Sequence, residues 1–156
     1  MSLRMGQVVD RLVVSVFELN GTLLAAGDQI TAPFGLTSAR WQVLGALKFS
    51  QGALTMPQIA KSMGLSRQAV IKQIKLLASD GLVQNQMNQA HKRSELWSLT
   101  PDGHTKYESI MASQRVLVER WRDGLTLAEL IECTRVLQSL ERSIQQASEA
   151  TGAQLR

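Results

Sequence analysis

Cysteine is almost missing from this chain. Cys133 is the one thiol in 156 residues, so no internal disulfide can form, and the cytoplasm is the simplest compartment to expect. Aromatic residues are also few. Phe17, Phe34, Phe49, Trp41, Trp97, Trp121 and Tyr107 are all there are, which argues against a stacking platform for single-stranded nucleic acid. No apolar run approaches the roughly 20 residues that cross a bilayer, and no secretory leader opens the chain, so no membrane partner is expected. No serine has an evident base partner, and neither a phosphate-cradling glycine loop nor paired carboxylates stand out. An enzyme is therefore not expected. His91, His104 and Cys133 fall short of the four ligands of a structural zinc site, so neither a metal nor a cofactor is expected. Cys133 lies among Leu130, Ile131 and Leu137 and reads as a buried, inert thiol.

The absence that matters most is of acids in the middle of the chain. Between Gln29 and Ser94 there are eight Lys or Arg residues and a single acid, Asp80, a local net charge of +7. The remaining segments carry a net of −3, which gives +4 for the whole. A duplex presents about one negative charge per 1.7 Å of its axis, so a segregated basic block is a plausible surface for its backbone. An ordinary solvated basic face would look the same by charge alone.

What is present describes one globular domain's worth of chain, 44% apolar and 19% charged. Apolar residues from Val9 to Leu24 recur at spacings of three and four, predicting a long amphipathic helix over residues 6–26 that Gly27 and Pro33 bring to an end. Thr37 caps a second predicted helix with Trp41, Val43, Leu44 and Leu47, where Trp41 reads as core. Thr55-Met56-Pro57-Gln58 is a capping box opening a short third helix that stops at Gly64. Ser66 caps a fourth, with Val70, Ile74 and Leu77 on its inner face and Gly81 to let the chain leave it. Residues 82–84 and 95–99 are short strands around a polar tip that holds Asn88, His91, Lys92 and Arg93. Thr100-Pro101 starts a helix to about residue 122, and a second capping box, Thr126 to Glu129, starts the last, to about residue 147.

A short helix, a glycine turn, a second helix with a polar outer face and a hairpin make a winged helix-turn-helix. In Ser62-Met63-Gly64-Leu65-Ser66 the glycine permits the tight turn, Leu65 fills the angle between helices and Ser66 caps the next one. The fourth helix then offers Ser66, Arg67, Gln68 and Ala69 at its start, with Lys72 and Gln73 one turn later. Such a helix fits a major groove, where Arg pairs with guanine and Gln with adenine. The helix N-terminal amides also suit a phosphate. A winged helix that holds a protein partner is the rival reading, and it predicts no preferred DNA site.

The stretch from Leu36 to Gly103 resembles the MarR family of bacterial transcriptional regulators. The resemblance is carried by Leu36-Thr37, Trp41 and Val43-Leu44, then Leu54-Thr55, Ile59-Ala60, Ser66 to Ile74, Leu77 and Gly81-Leu82-Val83. Its sharpest part is the wing signature, Asp-x-Arg followed by a strand and Leu-Thr-x-x-Gly. Arg93, Leu99, Thr100 and Gly103 stand where the pattern wants them, whereas His91 replaces the acid. The resemblance implies that Lys92 and Arg93 reach DNA from the wing, Arg93 in the minor groove. Without its acid the wing is expected to be more mobile and more electropositive. The implied fold is mainly α with a small β-wing, a winged helix-turn-helix flanked by long N- and C-terminal dimerisation helices. Residues 1–35 would form the first dimerisation helix and linker, 36–100 the DNA-binding domain and 101–156 the C-terminal dimerisation helices. The partners implied are double-stranded DNA, a second copy of the chain and a small aromatic effector. The function implied is that of a homodimeric regulator, a repressor, on a pseudo-palindromic operator. Apolar stripes at both ends of the chain support a homodimer independently.

Overall fold

The computed structural model describes residues 2–50, 52–89 and 94–154. His91, Lys92 and Arg93 of the expected wing tip lie outside them. Among the described residues eight regular elements follow in the order α-α-α-α-β-β-α-α, with one 3-10 turn after the first helix. The chain divides into two compact units, residues 1–114 and 115–156, and the division falls within a helix.

In the first unit α1 spans Ser2–Thr31, five residues beyond the predicted end. Gly27 does not stop it. A β-carbon there would lie 2.5 Å from Ser38 Oγ, so this glycine is the place where the second helix comes against the first. The chain turns instead at the 3-10 segment Ala32–Phe34, which contains Pro33, and at Gly35, whose φ of 71° is left-handed. Helix α2, Ser38–Phe49, is capped by Thr37 as expected, and the Ser38 amide donates to Asp28 Oδ1 of α1 at 2.7 Å. Trp41, expected in the core, is half-buried beside Gly27.

Helix α3, Met56–Met63, has the predicted capping box, in which Gln58 Oε1 accepts from the Thr55 amide at 2.8 Å. Helix α4 spans Arg67–Ser79. Strands β1, Val83–Gln86, and β2, Leu96–Leu99, pair antiparallel with Val83 opposite Leu99. A third, one-residue strand joins them: Leu54 and Trp97 exchange backbone hydrogen bonds at 2.9 and 2.7 Å. Helix α5, Pro101–Trp121, begins in this unit, with Thr100 Oγ1 accepting from the Gly103 amide at 3.0 Å. Leu44, Ile59, Val70, Ile74, Leu77 and Ile110 are wholly buried and hold α2, α3, α4 and α5 to one core.

In the second unit the end of α5 and α6, Leu127–Gln154, are separated by a turn at Gly124, φ 76°. The Thr126 capping box forms, Glu129 Oε2 accepting from the Thr126 amide at 2.8 Å. Cys133 is exposed rather than buried, as are Leu127, Leu130, Ile131 and Ile144 on the same helix. Among the described residues this apolar stripe is exposed, and the thiol that lies along it is exposed with it.

Candidate nucleic-acid interface

The turn between α3 and α4 is built from backbone chemistry. Gly64 takes φ 61°, a conformation that a β-carbon opposes, and the Leu65 amide bonds back to the Ala60 carbonyl at 2.9 Å. Leu65 is half-buried at the bend. Ser66 Oγ then accepts from the Ala69 amide at 3.1 Å and opens α4. Val70, Ile74 and Leu77, at i, i+4 and i+7, are each fully buried, so the register of α4 about its axis is fixed. The opposite face carries what is left over. Ser66, Arg67, Gln68, Lys72 and Lys75 are exposed, while Ala69 and Gln73 are half-buried on its flank. Of the residues expected on this helix, Gln73 is therefore the least available to a groove.

The basic block separates into two sets. Arg40 pairs with Asp80 at 2.9 Å and Lys48 with Glu108 at 2.7 Å. Both cations are consumed within the fold. Lys61, Arg67, Lys72 and Lys75 are exposed and make no ion pair among the described residues. Three of these four lie on α4 itself. Lys75 lies seven residues from Gln68 and three from Lys72, a spacing legible in the sequence that sets it on the same exposed side of the helix.

The wing hairpin is anchored rather than free at its base. The Leu82 carbonyl accepts from the Thr100 amide at 3.1 Å, and Thr100 Oγ1 donates to the Gly81 carbonyl at 2.7 Å. Trp97 is buried as expected, and its indole N–H finds no acceptor among the described residues. Gln84, Asn85 and Gln86 of β1 are exposed, with Asn85 donating to Glu95 at 3.0 Å across the hairpin. His104 is exposed, and no group of three or more His, Cys, Asp or Glu side chains among the described residues could hold a metal ion. No described helix is long and apolar enough to cross a membrane.

Comparison with known proteins matches this arrangement. A model of the MarR family fits residues 34–94, from the α1–α2 corner through β1 and up to the start of β2. An uncharacterized protein of Mycobacterium tuberculosis is 37% identical over 140 residues, covering 90% of this chain and 94% of its own. The HTH-type transcriptional repressor MdtR of Bacillus subtilis is 28% identical over 109 residues, 70% of each chain. Among solved structures, a MarR family transcription regulator is 25% identical with a TM-score of 0.72, over 93% of this chain and 97% of the other. Two more share the fold at 20% identity. A mutant MarR from E. coli complexed with operator DNA has a TM-score of 0.73, over 85% of this chain and 94% of the other. CouR from Rhodococcus jostii bound to p-coumaroyl-CoA has 0.74, over 85% and 92%. With its helix-turn-helix, its wing and the matched residues in agreement, this chain belongs to the MarR family and is a DNA-binding transcription regulator.

Proposed function

We propose that this regulator is a repressor that binds a pseudo-palindromic operator as a homodimer and is released by a small aromatic effector. The observation that carries the reading is the outer face of α4: Arg67, Gln68 and Lys72 stand exposed in one register above a fully buried inner face. Ser66, Arg67, Gln68, Ala69, Lys72 and Gln73 are the groove-facing set, with Arg and Gln suited to guanine and adenine edges and Lys to phosphate. Arg93 of the wing is assigned by its match to the family signature alone, and Lys92 by its place beside Arg93 in the sequence. Functionally the chain divides into a dimerisation helix and linker at 1–35, the DNA-binding part at 36–100 and C-terminal dimerisation helices at 101–156.

The homodimer is supported by apolar side chains that stand exposed among the described residues. On α1 these include Val8, Phe17 and Leu19, and on α6 Leu127, Ile131 and Ile144. Exposed apolar side chains concentrated on two helices mark an interaction surface, and a second copy would bury them. A two-fold dimer presents two recognition helices to half-sites about 10 bp apart. Repression is supported by the name of the B. subtilis relative, and an effector by the ligand in the CouR structure. Such a ligand acts by binding one spacing of the two recognition helices better than the other. A regulator of this kind works in the cytoplasm.

Selection from a pool of random duplex DNA tests the whole reading. The expected product is an inverted repeat with half-sites one helical turn apart, bound by two chains. Recovery of no sequence tighter than nonspecific DNA would leave the rival, a protein-interaction module, in its place. Sedimentation as a monomer at micromolar concentration would remove the homodimer alone.

A further inference from the structure

Arg40 stands in the first turn of α2, where the helix dipole favours an acid over a cation. Asp80 sits at the C-terminal cap of α4, where the same dipole favours a cation. Each charge is at the unfavourable end of its own helix, and the two meet there. Arg40 Nη1 donates to Asp80 Oδ2 at 2.9 Å, and Nη2 donates to the Gly35 carbonyl at 3.0 Å. The rigid planar fork of the guanidinium holds the two acceptors in a fixed mutual geometry, which a single ammonium nitrogen does not. The Arg40 side chain is 18% exposed, so the fork is largely packed into the joint rather than lying over it.

Gly35 is the left-handed corner between α1 and α2, and that corner is itself locked to α1. Asp28 of α1 accepts from the Ser38 amide, and Gly27 lets Ser38 lie directly on the helix. A continuous path of polar contacts thus runs from the last turns of α1, through the first turn of α2, to the end of α4. The one acid in the basic block, Asp80, is the terminus of that path.

We propose that Arg40 and Asp80 are positioning residues for DNA recognition. They fix the tilt of α4 against α1, and with it the distance and phase between the two recognition helices of the dimer. This inference rests on the homodimer reading. A part-exposed ion pair contributes little to stability, so its place at two unfavourable helix ends is explained by geometry. The functional consequence is selectivity for half-site spacing. One inserted base pair moves a half-site by about 3.4 Å and turns it by about 35°.

Two variants separate positioning from simple support. Asp80→Asn removes the ion pair. The exchanged protein, Arg40→Glu with Asp80→Arg, restores an ion pair and matches both helix dipoles, yet leaves position 40 with no donor for the Gly35 carbonyl. Melting temperature is measured for each, with affinity for the selected operator and for the same operator carrying one inserted base pair. Wild-type affinity is expected to fall about tenfold or more on insertion, and that of both variants about threefold or less. The exchanged protein should show this loss of selectivity at a wild-type or higher melting temperature, a split that a merely structural pair would not produce. Wild-type selectivity in either variant overturns the proposal. Should the exchanged protein not fold, Arg40→Lys keeps the charge and loses the fork, and its selectivity decides. A wild-type protein that ignores the insertion and binds single half-sites as a monomer overturns the homodimer reading, and this inference with it.

Discussion

Gly103 in the first turn of α5 lies with its α-carbon against the carbonyl oxygen of Leu82, so closely that a β-carbon would overlap that oxygen. The contact explains the Leu-Thr-x-x-Gly signature physically. Thr100 bonds its amide to the same carbonyl and its hydroxyl to Gly81, and four residues close the wing onto the start of α5. The neighbour at Gly103 is backbone and cannot rotate away. Gly103→Ala is therefore expected to destabilise the fold by about 3 kcal/mol or more, as overpacking against a fixed group does. Thermal unfolding checks it; a melting temperature within a degree of wild type would contradict the contact.

Much of this architecture is legible in the sequence because it is written in local chemistry. Thr55 with Gln58, Ser66 and Thr126 with Glu129 each satisfy amides a few residues away, and each forms where the residue types predict. The buried triplet Val70, Ile74 and Leu77 follows from helical period alone. What is not legible depends on partners far along the chain. Gly27 reads as a helix end until Ser38 is seen against it. Leu54 carries no strand period, since its whole strand is one residue paired with Trp97. Arg40 and Lys48 count as basic surface until the fold brings them to Asp80 and Glu108. Cys133 reads as core on an apolar stripe, yet among the described residues that stripe is exposed.

The Gly27–Ser38 approach yields a double-mutant cycle. Alanine for glycine inside a helix ordinarily gains about 1 kcal/mol. Here the new β-carbon would stand 2.5 Å from Ser38 Oγ and 3.0 Å from Ser38 Cβ. The overlap costs about 1–3 kcal/mol, so Gly27→Ala is expected to be net destabilising. Ser38→Ala removes the nearer atom and leaves the tight but less severe one. The pair should couple by about 1 kcal/mol, the double variant being more stable than the sum of the singles. Additive values from denaturant unfolding would mean that the two helices part easily at this point.

Glu129 offers a prediction in pH. Hydrogen bonds from the Thr126 amide and hydroxyl hold its carboxylate below the ordinary value for glutamate. A carboxylate depressed in the folded state stabilises that state above its unfolded pKa, and the contribution disappears as pH falls through the lowered folded value. The window therefore lies on the acid side of about pH 4.5, the ordinary value. In an NMR titration the Glu129 carboxyl should titrate below the usual range, and Thr126→Val, which removes the hydroxyl, should move it upward. An unmoved midpoint would assign the depression to another cause.

Lys72 and Gln68 are one turn apart on the exposed face of α4, and their removal should have different consequences. Lys72→Ala takes away a phosphate contact. Affinity should fall by a similar factor on every sequence, and the slope of log affinity against log salt should shrink by about one. Gln68→Ala takes away a base-edge contact. It should cost about 1–3 kcal/mol on the selected operator, little on nonspecific DNA, and relax preference at one base pair of each half-site. Fluorescence anisotropy on the operator, on single-base variants and on random duplex, each at several salt concentrations, separates the two. If both variants weaken all duplexes equally and neither changes base preference, α4 docks on the backbone without reading the groove, and the specificity must come from the wing.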